Sequence, residues 1–195
     1  MQEGFDVFSL KNRHEPAPGM LLVANPFLPD GNFKRAVVLL TEHNEGGSVG
    51  FVINKPVDLT FTDIVPEFPI DEVDLGYGGP VQLDTLHFLH KRPDLFSDCS
   101  PIFAEVCWGG DFDELRTRMD TRELSTYDVR FFVGYAGWAP DQLDQEIEDE
   151  SWLVVPATED LVFEDSPEKL WRKVLKSLGG RYAVMAGFPV DPRMN

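Results

Sequence analysis

Three short apolar runs follow one another early in this chain with no helical period between them, and that order restricts the fold more than any other feature. They are Met-Leu-Leu-Val-Ala at residues 20–24, Ala-Val-Val-Leu-Leu-Thr at 36–41 and Val-Gly-Phe-Val-Ile-Asn at 49–54. Runs this short, rich in branched side chains and bounded by turn formers, read as buried strands. The second and third flank Gly46-Gly47, which predicts a hairpin with its loop over residues 43–48. A doubly wound parallel sheet would need a helical crossover there. Weaker strand patterns near 86–89 and 102–107 follow the glycine-rich bend 76–80, and a firmer one occupies 130–134.

Helical patterns are few and scattered among these strands. Residues 61–65 read as a single turn. Asp111, after Gly109-Gly110, is placed to cap a helix running to Met119 through Leu115. The last helix has Ser166 as its cap, Pro167 at its first position and an apolar stripe of Leu170, Trp171, Val174, Leu175 and Leu178 that ends at Gly179-Gly180. Strands in groups with interspersed helices predict an α+β domain with a mixed or antiparallel sheet. At 195 residues and 43% hydrophobic content, one domain over 1–195 is expected, with 1–19 as a leader.

Charge and cysteine usage narrow the function classes. With 17 basic and 34 acidic residues the net charge is -17, which disfavours non-specific attraction to nucleic acid or anionic membrane. Two cysteines, Cys99 and Cys107, are too few for a disulfide scaffold and fit a reducing cytoplasm. The opening Met-Gln-Glu-Gly lacks the order of a signal peptide, and the longest apolar runs fall far short of a bilayer span. A cytoplasmic protein is expected.

Several apparent motifs dissolve in context. Gly46-Gly47-Ser48-Val49-Gly50 matches the spelling of a nucleophile elbow, but a strand rather than a helix follows Ser48. His87 and His90, three apart on a strand, point to opposite faces, so no metal site is expected. Cys107 between Val106 and Trp108 reads as a buried, inert thiol. No phosphate-loop pattern occurs, and no cofactor is expected.

Residues 134–143, Gly-Tyr-Ala-Gly-Trp-Ala-Pro-Asp-Gln-Leu, join a strand to a helix through special residues. If the helix begins at Pro140, Leu143 and Ile147 share its buried face, while Gln142 and Glu146 form a row beside it. The acidic positions Asp141, Asp144 and Glu148 then face solvent. Together with Arg35, His43, Asn44, Asn54, Asp111, Tyr135 and Trp138, the Gln142–Glu146 row offers donors, acceptors and stacking faces for a polar cleft. The competing reading is a polar network that fixes an irregular sheet, with Arg35 pairing Asp111 or Glu146.

This segment, with Glu146-Ile147 and Trp152 beyond it, resembles the signature of the bacterial YqgE/AlgH family. Further blocks in the same order carry the resemblance along nearly the whole chain: Leu21-Leu22-Val23-Ala24, residues 33–40, Glu42-His43-Asn44, residues 50–56, Gly78-Gly79-Pro80-Val81, Gly109-Gly110-Asp111, and the closing Asp191-Pro192 with Asn195. Asp141 departs from the family's glycine, so no left-handed backbone is expected there. The resemblance implies a bent, irregular mixed sheet and no accepted enzymatic activity; the family takes its best-known name from a proposed regulator of alginate biosynthesis. It therefore implies a non-enzymatic regulatory or interaction protein, such as a transcriptional regulator, whose partner is an unidentified protein. The alternative is a small-molecule binding protein or undiscovered enzyme using the cleft around Arg35, His43 and Glu146.

Overall fold

In the computed structural model, which describes residues 10, 14–59, 61–66, 68 and 73–189, the strands form one sheet whose middle member changes partners along its length. That member is β8 (Val129–Trp138). Its first half lies between β4 (Leu75–Tyr77), which runs parallel to it, and β5 (Val81–His90), which runs antiparallel. Its second half pairs antiparallel with β3 (Gly47–Val52). From β3 the sheet continues through β2 (Val37–Asn44) and β1 (Met20–Ala24) to β9 (Trp152–Pro156). From β5 it continues through β7 (Val106–Trp108) to β6 (Ser100–Phe103). The fold is a single α+β domain with a mixed, largely antiparallel sheet of nine strands.

The sheet bends where β8 exchanges partners. Gly134 sits there at φ +64°, and a Cβ on it would lie 2.7 Å from the carbonyl oxygens of both Gly79 and Val81. Residues 82–85 of β5 bulge out opposite this one glycine, between the pairs Val81↔Tyr135 and Leu86↔Val133. A glycine facing an extended bulge is how a strand turns a corner between two sheet orientations.

Helices cover the two faces unequally. Alternate residues of β1, β2 and β9, among them Leu21, Val23, Val37, Leu39 and Val155, meet α5 (Leu170–Leu178) and α6 (Gly180–Met185). The intervening residues Leu22, Ala24, Val38, Leu40 and Val154 form a separate core with α3 (Gln142–Glu148). Around the first half of β8 a third core gathers Phe61 of α1 (Phe61–Ile64) and Leu115 and Met119 of α2 (Phe112–Asp120). The short α4 (Glu159–Val162) follows β9. On α5 the fully buried Leu170, Trp171, Val174 and Leu175 each contribute roughly 1.5–3 kcal/mol by burial.

Local details depart from the sequence reading in instructive ways. The hairpin turn is shorter than the expected loop 43–48: strand pairing runs to Asn44↔Gly47, leaving Glu45 and Gly46 as the turn. Residues 102–107 are a hairpin rather than one strand, because Ala104 takes φ +43° and reverses the chain between β6 and β7. Helix α3 starts at Gln142 and not Pro140, since Asp141 adopts φ +63°. That left-handed residue overturns the expectation drawn from the missing glycine; aspartate is one of the few side chains that tolerate the conformation. Ser166 makes no capping bond, because Pro167–Lys169 form a tight 3-10 turn before α5. Leu178 is 42% exposed, lying past the end of the buried stripe. Strands β4 and β9 and helices α4 and α6 went unread, β4 because its residues fall at the glycine-rich bend. Leu10, within the expected leader, is buried and donates its N–H to Glu150 at 2.9 Å. The rest of residues 1–13 and the closing Asp191-Pro192 and Asn195 lie outside the described residues.

Candidate functional site

The corner where the β2–β3 hairpin meets the end of β8 and α3 carries six of the nine polar candidates. Glu146 is its hub. Its Oε2 accepts the indole N–H of Trp138 at 2.9 Å and of Trp152 at 2.8 Å, and its Oε1 accepts from Gln142 Nε2 at 2.9 Å. Gln142 in turn accepts the Ala139 N–H at 3.0 Å. The i, i+4 spacing of Gln142 and Glu146 thus serves to satisfy two buried tryptophans whose rings flank Phe33, at 5.9 Å for Trp138 and 5.4 Å for Trp152.

On the hairpin, His43 and Ser48 are cross-strand partners, and His43 Nδ1 lies 2.8 Å from Ser48 Oγ. Cross-strand pairing alone accounts for the contact. Ser48 is 4% exposed and lies between two hollows. Asn44 accepts the Gly46 N–H at 2.7 Å and so holds the turn. Tyr135 borders a shallow hollow of about 380 Å³ with Asn44, Gly47 and Trp138. A second hollow of about 320 Å³ separates His43 and Asn44 from Asp141 and Asp144.

The other three candidates lie elsewhere. Asn54 ties the start of β2 to the residues after β3, accepting from Val37 N at 2.7 Å and donating to Arg35 O at 2.9 Å. Asp111 caps α2, its Oδ1 accepting from the Asp113 and Glu114 N–H groups at 2.9 Å each. The Arg35 guanidinium stacks 4.7 Å over Trp171 and donates to the Phe188 carbonyl. Burial, and then the nearby Arg172 charge, push its pKa down. Neither Asp111 nor Glu146 is its partner, contrary to the pairing expected from sequence. Trp171 belongs to the core under α5, whereas Glu146 serves the core on the opposite face, so Arg35 and Glu146 are kept apart by the sheet itself.

Two groupings had no place in the sequence reading. The larger is an open cleft of about 570 Å³ between the β4–β8 edge and the segment after α4. Arg130 and Lys91 line it with Asp74, Tyr127, Glu164 and Asp165. Arg130 donates to Val162 O at 2.7 Å, and burial lowers its pKa to about 10 against the raising effect of Asp74 and Glu164, so it stays a cation at neutral pH. An arginine inside the apolar run 129–133 was the signal that could have found this cleft, since buried arginine is uncommon. The smaller grouping joins residues that the sequence spacing does not connect. His90, Cys99 and Cys107 come within 4.8 Å of one another, because three strands bring together residues whose sequence spacing has no zinc-motif form. Cys107 is buried as expected, and burial followed by the neighbouring Cys99 pushes its pKa up to about 12.

A bent, mixed α+β sheet with its corner at a Gly-Tyr-Ala-Gly-Trp strand end, and a tryptophan pair held by one glutamate, defines a structural class rather than a catalytic one. Comparison with known proteins gives that class its family: the chain belongs to the AlgH-like family, whose sequence profile matches residues 21–183. A UPF0301 protein of Chlorobium limicola is 42% identical over 178 residues, covering 91% of this chain and 95% of the relative. One from Cytophaga hutchinsonii is 40% identical over 178 residues, covering 91% and 98%. The crystal structure of a Corynebacterium diphtheriae protein superposes with a TM-score of 0.76 at 27% identity, over 91% of this chain and 95% of that one. The solution structure of the AlgH protein from Pseudomonas aeruginosa gives 0.72 at 27% identity, over 92% and 98%. Among the described residues no helix is long and apolar enough to cross a membrane.

Proposed function

We propose that this chain is a non-enzymatic regulatory or interaction protein of the bacterial cytosol, acting by binding rather than by turnover. The observation that carries this reading is the commitment of the reactive side chains at the hairpin corner. Glu146 is held by two indoles and Gln142, and the Ser48 hydroxyl, 4% exposed, is paired across the hairpin with His43, so these polar groups are spent on one another. The resemblance to an AlgH-type regulator supports the same reading. With a net charge of -17, any effect on transcription runs through a protein partner and not through direct contact with DNA.

The face that fits a partner is the Arg130 cleft, with Tyr127 standing 75% exposed at its lip. An exposed tyrosine beside a half-buried arginine is the composition of an interface anchor. Affinity purification of the wild-type chain and of Tyr127→Asp from the native host tests this. A partner retained by the first and lost by the second supports it; equal recovery, or nothing above background across several growth conditions, overturns it.

A second reading rests on the mixed charges of the same cleft. Arg130 and Lys91 can take a carboxylate or phosphate while Asp74 and Asp165 take an amine, which fits a small zwitterion. Thermal-shift screening separates the two: a metabolite that raises the melting temperature of the wild type but not of Arg130→Gln favours the small ligand.

A further inference from the structure

His90, Cys99 and Cys107 sit at one end of three neighbouring strands. His90 of β5 is directly opposite Cys107 of β7, and Cys107 is opposite Pro101 of β6, two residues beyond Cys99. His90 and Cys107, directly paired, share a face of the sheet, and Cys99, in the residue just before β6, brings its sulfur to the same place. Their ligand atoms lie within 4.8 Å of one another. Four-coordinate zinc with sulfur at ~2.3 Å requires sulfurs ~3.8 Å apart, so small side-chain rotations close the set.

The surroundings suit a metal more than they suit two idle thiols. His90 is fully buried and Cys107 is 2% exposed, while Cys99 is partly open and leaves a path from solvent. Nε2 of His90 gives its proton to Gly109 O at 3.1 Å, and Nδ1 receives the Arg92 N–H over a long 3.3 Å, a contact that gives way when the Nδ1 lone pair turns to a metal. Phe96 stacks on that ring at 4.2 Å. A neutral imidazole held by a backbone carbonyl is the form in which histidine ligates metals. Two thiols that each lose a proton to solvent supply two negative charges, so a divalent ion leaves a buried site with no net charge.

We infer that His90, Cys99 and Cys107 form a three-ligand site for a thiophilic divalent cation of the zinc type, with its fourth position open to water on the Cys99 side. Two thiolates and an imidazole select zinc over the magnesium and calcium that the many surface carboxylates attract. The bound ion would pin the outer β6–β7 hairpin to β5, across the residues that lead into Asp111 and α2. This inference is independent of the proposed partner cleft.

The test uses the full chain, reduced and stripped of metal by a chelator, titrated with Co²⁺ as a spectroscopic probe and then with Zn²⁺. One equivalent of Co²⁺ is expected to produce thiolate-to-cobalt charge-transfer absorption and the intense visible bands of tetrahedral cobalt, both abolished by Zn²⁺. Zn²⁺ is expected to raise the melting temperature where Mg²⁺ does not. Cys99→Ser is the informative variant, because that residue is partly exposed and its loss leaves the buried packing intact. It should weaken Co²⁺ binding at least about tenfold and reduce the charge-transfer intensity. Absence of charge-transfer absorption at one equivalent, or spectra unchanged in Cys99→Ser, would overturn the inference. So would a reduced protein that binds no cobalt yet readily joins Cys99 to Cys107 under mild oxidation, which would make the pair a dithiol switch instead.

Discussion

Asp141 shows how much a single residue can withhold from sequence reading. The absence of glycine there argued against a left-handed backbone, yet aspartate tolerates one and holds φ +63° immediately before α3. Glycine relieves the Cβ strain of that conformation, so Asp141→Gly is expected to leave stability unchanged or raise it by up to about 1 kcal/mol, and Asp141→Ala to lower it by about the same. Urea unfolding of the two variants checks both signs. Glu146 is the opposite case, because its i, i+4 row with Gln142 pointed to a side chain that satisfies nearby groups. What the row could not show was the clients, two indoles from β8 and β9 that meet only after folding. Glu146→Ala leaves both N–H groups buried without an acceptor and is expected to cost about 2–4 kcal/mol, with Glu146→Gln intermediate. Equal stability of Glu146→Ala and wild type in denaturant would remove the glutamate from its place as hub.

At the scale of elements, strands with continuous apolar runs were legible and turns made by non-glycine residues were not. The β1, β2 and β3 runs declared themselves by composition, whereas Ala104 and Gln82 take positive φ without any side-chain signature. Arg35 and Glu146 are not brought together, because Arg35, in the turn before β2, lies over Trp171 on the α5 side while Glu146, on α3, serves the core of the other face. Strand β8 is where these facts bear on stability. Gly134→Ala places a methyl group 2.7 Å from two carbonyl oxygens at a positive φ, and the expected loss is about 3 kcal/mol or more, read as a lowered urea midpoint or failure to fold. Across the same corner, His87 donates to Thr85 Oγ1 at 2.9 Å and packs its ring on Phe51 and Tyr135. Burial lowers its pKa below the usual 6.5, so the unfolded chain binds the proton first. The contribution is full above that value and is lost as the pH falls toward the folded pKa. Wild type should lose more stability than His87→Gln between about pH 7.5 and about pH 5.5.

For the molecule as a whole, the charge balance was fully legible and has a consequence beyond disfavouring non-specific attraction to nucleic acid. Acidic residues outnumber basic ones by two to one, and the ion pairs among the described residues involve mostly solvent-exposed side chains, so carboxylates are in net excess and repel one another. That repulsion is part of the folded state's energy, since folding draws the charges closer than the expanded chain holds them. Mobile ions screen such exposed charges over a Debye length that falls from roughly 20 Å to under roughly 8 Å as salt rises from about 0.02 M to about 0.2 M. Sodium chloride over that range is therefore expected to raise the melting temperature by a few degrees in metal-free buffer. The chloride salt is chosen because sulfate would add exclusion from the surface to screening. An unchanged or falling melting temperature would mean that local pairing at the Arg130 cleft and along α2 outweighs the global repulsion. In that event the cleft's own cations, and not the acidic surface around it, would set how a charged partner approaches.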